Sequence, residues 1–268
     1  MAGFDDAYRE LLARWGRAAV ARTADTPRAR TRVNVVGDPR GAGAATVLLP
    51  GGGASSVVWF PQVAAADGAF IAPDLPADAG YSERRRGLRG ARDVADWCED
   101  VLAAAGVPGR KAVTVVGHSY GAQLAVRWAL QSPARIAGLT LLDPNGVFAR
   151  VAPAVAVHAL PQLIAPSGAR WRRFLNWETR GATLDPVWFE LTTSAAAMRM
   201  RPLFLPRPKP AEIEALRALP GGIRVVLARR SRYHDATRVA ASLAEQHPWI
   251  VVETVDASHH ELPFVWRP

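Results

Sequence analysis

A serine near the middle of the chain stands in a setting typical of a nucleophile. Ser119 lies between Gly117 and Gly121 in the stretch V-G-H-S-Y-G-A-Q-L. Residues 112–116 before it are apolar and rich in β-branched side chains, which predicts a buried strand. Residues 122–130 after it carry apolar side chains at helical spacing. The glycines allow strand and helix to approach closely, and this tight strand–serine–helix turn favours nucleophilic catalysis.

Two adjacent histidines are candidates for the base that a serine nucleophile requires. A serine hydroxyl is a weak nucleophile at neutral pH until a neighbouring group takes its proton. His259 and His260 follow the last predicted strand, in the stretch D-A-S-H-H. A strand, a short turn and then a histidine suits this role, so we favour His259, with His260 as the alternative. We expect the ring of His118 to point away from the serine.

Two aspartates are candidates for the acid that orients this base. Asp143 closes the strand that follows the predicted helix after Ser119, and Asp235 lies beyond the next predicted strand. Each residue also has a structural interpretation. Asp143 precedes a proline in a turn pattern, and Asp235 is placed to cap the following helix. The residue pattern leaves both open.

A run of three glycines supplies candidates for binding a developing oxyanion. Residues 51–53 are all glycine and follow a predicted strand. Glycines bring bare backbone amides close to a ligand, so we expect the N–H groups of Gly52 and Tyr120 to stabilise negative charge on a carbonyl oxygen. The Lys-Ser/Thr ending of a phosphate loop is absent.

Strands and helices alternate through most of the chain, which predicts an α/β fold with a mostly parallel, doubly wound sheet. The exception is the segment 147–219, where prolines and tryptophans interrupt helical pieces and no strand pattern is convincing. We therefore predict a core formed by residues 1–146 and 220–268, with 147–219 as a helical insertion over the carboxyl ends of the strands. The predicted strands cover residues 31–36, 45–49, 69–72, 112–116, 136–142, 223–228 and 249–255, and the predicted helices 4–19, 56–65, 91–105, 122–130 and 236–246.

Composition narrows the classes of partner. The net charge is +9, but 31 of the 33 basic residues are arginines scattered along the chain, so we expect no nucleic-acid partner. The single cysteine excludes an intrachain disulfide. We see no signal peptide and no apolar run of membrane-spanning length, so we expect a cytoplasmic protein without membrane contact. No residue spacing indicates a metal site, and no cofactor is expected.

Five motifs together resemble the α/β-hydrolase superfamily over nearly the whole chain, and the chain is similar to small bacterial carboxylesterases of the naproxen-esterase type. The resemblance implies an α/β-hydrolase fold with 147–219 as its cap. It also implies hydrolysis of a small, largely apolar ester through an acyl-enzyme on Ser119. The motifs are L-L-P-G-G-G at 48–53, A-P-D-L-P at 72–76, G-H-S-Y-G at 117–121, L-L-D-P at 141–144 and D-A-S-H at 256–259.

One departure from the family pattern affects the acid. The usual position of this acid falls on Ser231, which favours Asp143 over Asp235. It also supports an alternative function, a non-catalytic ligand-binding protein that has lost the acid. Lactonase, thioesterase and C–C hydrolase activities are further alternatives, because a fold does not determine the substrate.

The resemblance also guides the remaining expectations. We expect substrate contacts from Gly53 and from three residues of the cap, Trp177, Trp188 and Met198. The closing helix after the histidines should be missing or very short, and we expect a monomer or a homodimer.

Overall fold

Nine strands and ten α-helices alternate along the part of the chain that the structure describes. This computed structural model describes residues 2–76, 78–197, 203 and 205–267. The strands are β1 (Ala19–Asp25), β2 (Ala29–Val36), β3 (Thr46–Leu49), β4 (Phe70–Pro73), β5 (Glu83–Arg84), β6 (Val113–His118), β7 (Ile136–Leu142), β8 (Ile223–Ala228) and β9 (Val251–Val255). The helices are α1 (Ala2–Ala13), α2 (Phe60–Ala65), α3 (Ala91–Ala105), α4 (Tyr120–Gln131), α5 (Pro153–Ile164), α6 (Gly168–Glu178), α7 (Pro186–Ala195), α8 (Pro210–Ala215), α9 (Ala236–Gln246) and α10 (Leu262–Val265).

The strands form one sheet, in the order β1-β2-β4-β3-β6-β7-β8-β9, with β5 paired to β2. Strand β2 is antiparallel to its neighbours β1, β4 and β5, and the pairs from β4 onward to β9 are parallel. The carboxyl ends of β3, β6, β7, β8 and β9 therefore meet at one edge of the sheet. This arrangement confirms the predicted fold class.

Apolar side chains cover both faces of the sheet. Adjacent residues of β6 point to opposite faces: Val115 belongs to the apolar cluster that contains α3, α4 and α9, and Val116 to the cluster that contains α1, α2 and α10. Large indole rings anchor both clusters, with Trp97 and Trp128 in the first and Trp15 and Trp59 in the second.

Local signals at helix ends explain why several predicted bounds agree with the structure. The side chain of Asp235 accepts a hydrogen bond from the backbone N–H of Arg238 (3.0 Å), so α9 begins at residue 236. Helix α3 ends before Gly106, which has φ 83° and whose N–H bonds to the last carbonyls of the helix. The predicted ranges 91–105 and 236–246 are both confirmed.

The amino-terminal prediction was wrong in part. The helix predicted over 4–19 ends at Ala13, and Gly16 follows in the left-handed region at φ 64°. Strand β1 was not predicted. It lies at the sheet edge, and four of its seven residues in a row are exposed, so it lacks the alternation that marks a half-buried strand.

The described residues between β7 and β8 form helices α5 to α8 and no strand. Helix α7 packs against α1, and the Thr192 hydroxyl of α7 donates a hydrogen bond to the carbonyl of Gly53 (3.0 Å), just after β3. Helix α7 therefore lies against the carboxyl edge of the sheet, whereas Glu214 of α8 accepts a hydrogen bond from the Trp249 indole just before the amino end of β9. Within the described residues, no helix is both long and apolar enough to cross a bilayer.

Candidate active site

The turn between β6 and α4 holds Ser119 in a strained backbone conformation. Its φ is 54° and its ψ is −114°, a backbone conformation that residues other than glycine rarely adopt. A Cβ atom at position 117 would lie 2.6 Å from the carbonyl oxygen of Gly121, and one at position 121 would lie 2.5 Å from that of Pro50. Both glycines are therefore required for the close approach of strand, turn and helix.

Ser119, His259 and Asp143 form a continuous line of hydrogen bonds. Nε2 of His259 lies 2.8 Å from the Ser119 hydroxyl oxygen, and Nδ1 of His259 lies 2.6 Å from Oδ2 of Asp143. All three side chains are buried. Each residue directly follows, or lies in the loop after, the carboxyl end of a strand: β6, β9 and β7 respectively. The geometry is that of a nucleophile, a base and an orienting acid.

The Asp143 carboxylate is held by several donors. It accepts the backbone N–H of Ala228 at 3.0 Å and the hydroxyl of Ser231 at 2.7 Å. Nε2 of His234 lies 2.9 Å from Oδ1, although not in the alignment of a hydrogen bond. Burial alone raises the pKa of Asp143, but His234 and His259 outweigh burial and hold that pKa well below its ordinary range. The acid is therefore ionised.

The rings of Tyr233 and His118 both contact the imidazole of His259. Tyr233 stacks on it with ring centres 3.9 Å apart, and His118 lies 4.6 Å away. Our expectation for His118 was wrong: its ring lies against the base, with Nε2 3.0 Å from the carbonyl oxygen of His259. Burial lowers the pKa of His259 more than Asp143 raises it, so this pKa lies below the ordinary value of 6.5.

Asn145 is a further contact of Ser119. Its side-chain amide donates a hydrogen bond to the serine hydroxyl oxygen at 3.0 Å. Because Asp143 accepts the Nδ1 proton of His259, Nε2 of His259 is the acceptor for the hydroxyl proton of Ser119. Asn145 therefore donates to one of the two lone pairs of the same oxygen, which favours the direction in which the hydroxyl hydrogen points to Nε2.

The glycine run lies directly beside Ser119. A Cβ atom at position 51 would lie 2.8 Å from Nδ1 of His118, so only glycine fits there. Gly53 donates its N–H to Asp78 at 2.9 Å. The N–H groups of Gly52 and Tyr120 have no hydrogen-bond acceptor among the residues that the structure describes, and a Cβ atom at 52 would lie 3.9 Å from that of Tyr120. Both N–H groups are thus free to donate to a ligand.

A cavity of about 240 Å³ opens onto Ser119 and His259. Its wall is mainly apolar and includes Trp171, Phe174 and Leu163 from the helices between β7 and β8. No group of three or more His, Cys, Asp or Glu side chains within the described ranges is placed to hold a metal ion.

Comparison with known proteins shows the family of this chain. Residues 46–266 match the family model described as the alpha/beta hydrolase family. The chain belongs to the alpha/beta hydrolase family. The chain is 27% identical over 178 residues to carboxylesterase YbfK of Bacillus subtilis (strain 168), a match that covers 66% of this chain and 57% of that protein. This chain thus spans less than two thirds of the length of that carboxylesterase.

Solved structures share the fold. This chain superposes on naproxen esterase (carboxylesterase NP) from Bacillus subtilis with a TM-score of 0.81 at 21% identity. The superposition covers 96% of this chain and 90% of that one. Carboxylesterase CesB (YbfK) from Bacillus subtilis gives the same TM-score and identity, with 96% and 91% covered.

The alternatives for acid and base form other contacts in this structure. Asp235 is exposed and caps α9, and the structure does not bring it to His259. His260 does not contact Ser119, because its Nδ1 lies 2.7 Å from Oε2 of Glu178. Asp235 bonds to the backbone of α9 and His260 to Glu178, and neither residue forms the contacts proposed for the triad.

The expected substrate contacts divide into three groups. Gly53 and Trp188 line the cavity beside Ser119. Trp177 does not: its ring stacks on His158 with ring centres 3.9 Å apart, and the Arg232 guanidinium lies over it. Met198 lies outside the described residues. The sequence reasoning also missed Glu178, the neighbour of Trp177, which is completely buried.

Three other residues near the site were missed. Asn145 directly follows the L-L-D-P motif at 141–144, so its position beside that motif was the available signal. Tyr233 and His234 lie in the loop after β8, and no local pattern marks them, because their contacts with His259 and Asp143 are formed by residues distant in sequence.

Proposed function

We propose that this hydrolase is a serine carboxylesterase that cleaves esters of small, largely apolar substrates. The observation that carries the proposal is the hydrogen-bonded line from Asp143 through His259 to Ser119, with distances of 2.6 and 2.8 Å. The similarity to a carboxylesterase supports the choice of ester as the scissile bond.

In the proposed mechanism, the Ser119 oxygen attacks the ester carbonyl carbon while Nε2 of His259 accepts its proton. Asp143 holds the imidazole and stabilises the imidazolium that forms. The imidazolium then protonates the leaving alcohol, which leaves an acyl group on Ser119. A water molecule, deprotonated by His259, attacks the acyl carbon, and the carboxylic acid departs as Ser119 regains its proton.

Two backbone amides stabilise the oxyanion in this proposal. The N–H groups of Gly52 and Tyr120 flank Ser119 and are free to donate, as the geometry above supports. Donors fixed in advance stabilise the charge that develops on the carbonyl oxygen without the cost of reorganising water.

The apolar part of the substrate enters the cavity beside Ser119. We assign residues 147–219 as the cap and residues 1–146 and 220–268 as the core, with Gly53 and Trp188 as substrate contacts. The alternative of a non-catalytic binding protein depended on Ser231 at the usual position of the acid. In our proposal Asp143 takes that role, and its 2.6 Å contact with Nδ1 of His259 supports an esterase over this alternative. The cytoplasmic location and the monomeric or homodimeric state remain predictions.

Covalent labelling tests the proposal. A fluorophosphonate probe should add its mass to the wild-type protein at Ser119, and Ser119→Ala should stay unlabelled. A series of p-nitrophenyl esters should be hydrolysed by the wild type only. A folded wild-type protein that neither labels nor hydrolyses any of these esters contradicts the proposal, and circular dichroism of both proteins serves as the folding control.

A further inference from the structure

A second histidine–carboxylate pair lies beside the proposed triad and takes no part in its mechanism. Nδ1 of His260 lies 2.7 Å from Oε2 of Glu178. The Glu178 side chain is completely buried and also accepts the backbone N–H groups of His259 and His260, at 3.0 and 3.2 Å. Burial raises the pKa of Glu178, but the hydrogen bonds that it accepts from the two histidines help to bring this pKa below its ordinary value. The carboxylate is therefore ionised near neutral pH.

The ionised carboxylate determines how His260 presents its second ring nitrogen. A carboxylate without a proton only accepts hydrogen bonds, so Nδ1 of His260 carries a hydrogen and donates it to Glu178. In the neutral imidazole, Nε2 then carries a lone pair. The two nitrogens of the ring point in widely separated directions, so Nε2 faces away from Glu178. No side chain or backbone group within the described ranges forms a hydrogen bond with it.

The ring of His260 lies in the wall of the cavity that opens onto Ser119. It is perpendicular to two other wall residues, Trp171 and Phe174, with ring centres 5.9 and 6.0 Å apart. Its centre is 5.1 Å from that of the His259 ring. The His260 side chain thus lies beside the place of a substrate bound at Ser119, and in its neutral form it carries an Nε2 acceptor with no partner among the described residues.

We propose that Nε2 of His260 accepts a hydrogen bond from a hydroxyl group of the substrate, so that the preferred substrates are esters with a hydroxylated chain. This inference rests on the proposed esterase function of Ser119. An alkyl chain that fills the cavity removes water from the Nε2 acceptor and leaves it unpaired, which costs free energy. A hydroxyl at the same place restores the lost hydrogen bond, and sites of this kind discriminate strongly against analogues that lack the hydroxyl.

Matched pairs of methyl esters test the inference. Each pair has a chain of the same number of non-hydrogen atoms and ends either in a hydroxyl or in a methyl group, and several chain lengths are compared. The measured quantity is the ratio of kcat/KM for the hydroxyl ester to kcat/KM for the methyl-terminated ester. At the best chain length, His260→Phe should lower this ratio about ten- to a hundredfold. His260→Gln should retain part of the preference, because its amide oxygen also accepts.

A surface histidine provides the matched control. His158 is exposed on α5 and stacks on Trp177 outside the cavity, so His158→Phe should leave the ratio unchanged. A ratio that is the same in the wild type and in folded His260→Phe overturns the inference, as does loss of the preference in His158→Phe. A wild type that hydrolyses p-nitrophenyl esters but neither ester of any pair also overturns the inference, whereas a wild type that neither hydrolyses p-nitrophenyl esters nor reacts with the fluorophosphonate contradicts the esterase function itself. The two failures are therefore distinguishable.

Discussion

Hydrogen-bond donors surround the Asp143 carboxylate and keep it in its ionised form. The N–H of Ala228 and the hydroxyl of Ser231 occupy lone pairs that water would otherwise take. The remaining contact, with Nδ1 of His259, determines the imidazole tautomer, because an ionised acceptor requires a hydrogen on that nitrogen. The lone pair on Nε2 is thereby aimed at Ser119. In the proposed mechanism, Asp143 therefore positions a proton and does not receive one.

Exchanging this acid for an amide should abolish most of the turnover. In Asp143→Asn the side chain can donate to Nδ1, which favours the wrong tautomer, and kcat should fall by about 10⁴-fold. The measurement is steady-state hydrolysis of a p-nitrophenyl ester. Asp235→Asn is the matched control: asparagine also caps a helix, so its kcat should equal that of the wild type. Equal losses in the two variants would contradict the assignment of the acid.

The activity should persist at a pH at which an ordinary histidine is protonated. His259 acts only while neutral, and burial places its pKa below 6.5 despite the opposing effect of Asp143. The acidic limb of kcat/KM against pH should therefore have its midpoint below 6.5, since this parameter reports the free enzyme. A neutral ester is used so that only the enzyme titrates. A midpoint above 6.5 would show that Asp143 outweighs burial.

At the scale of elements, a buried aspartate ties the first helix to the sheet. Asp74 follows β4 and accepts hydrogen bonds from the Tyr8 hydroxyl of α1 (3.0 Å) and from the backbone N–H of Ser56 (2.8 Å). Helix α1 in turn packs against α7. Because α7 also contacts Gly53 through Thr192, the first helix helps to position the glycine run beside Ser119.

Removing one hydroxyl should measure this link. Tyr8→Phe leaves the ring packing intact but removes the donor to Asp74, so the free energy of unfolding should fall by about 1 kcal/mol. Urea denaturation followed by circular dichroism gives the value. Tyr81→Phe is the control, because its hydroxyl bonds to Asp5 at the surface, and its unfolding free energy should hardly change. A larger loss in Tyr81→Phe than in Tyr8→Phe would contradict this account.

Local sequence patterns explain what could be predicted about these elements. The turn around Ser119 is encoded by the consecutive residues 112–130, so its strand, glycines and helix were all evident. The choice between Asp143 and Asp235 was not evident from local patterns, because it depends on the pairing of β7 with β8 and on the fold of the loop after β8. In α6 we favoured Trp177 for its aromatic ring. Neighbouring helical residues point about 100° apart, and Glu178 is the one that faces the histidine loop.

At the scale of the whole molecule, the helices between β7 and β8 are bound to the sheet by polar contacts as well as apolar ones. Glu178 of α6 accepts the backbone N–H groups of the two histidines after β9. Thr192 of α7 bonds to Gly53 after β3, and it also accepts the Trp171 indole N–H at 2.8 Å. The inserted helices and the sheet thus share several buried polar groups that would be left unpaired if they separated.

The two parts should therefore unfold together. Urea transitions followed by tryptophan fluorescence and by far-UV circular dichroism should coincide, because tryptophans lie both in the helices that pack on the sheet, such as Trp97 and Trp128, and in the inserted helices, such as Trp171 and Trp188. Thr192→Val should shift both transitions by the same amount. Two separated transitions, or a shift in one probe only, would show that the inserted helices unfold independently.

The hydroxyl of Ser231 and Nδ1 of His259 both lie against the same oxygen of Asp143, at 2.7 and 2.6 Å. Ser231 and Asp143 are therefore neighbours in space although 88 residues separate them in the chain. A carboxylate placed at position 231 would lie beside the same imidazole as Asp143, so the loops after β7 and β8 offer two places on the chain for one negative charge.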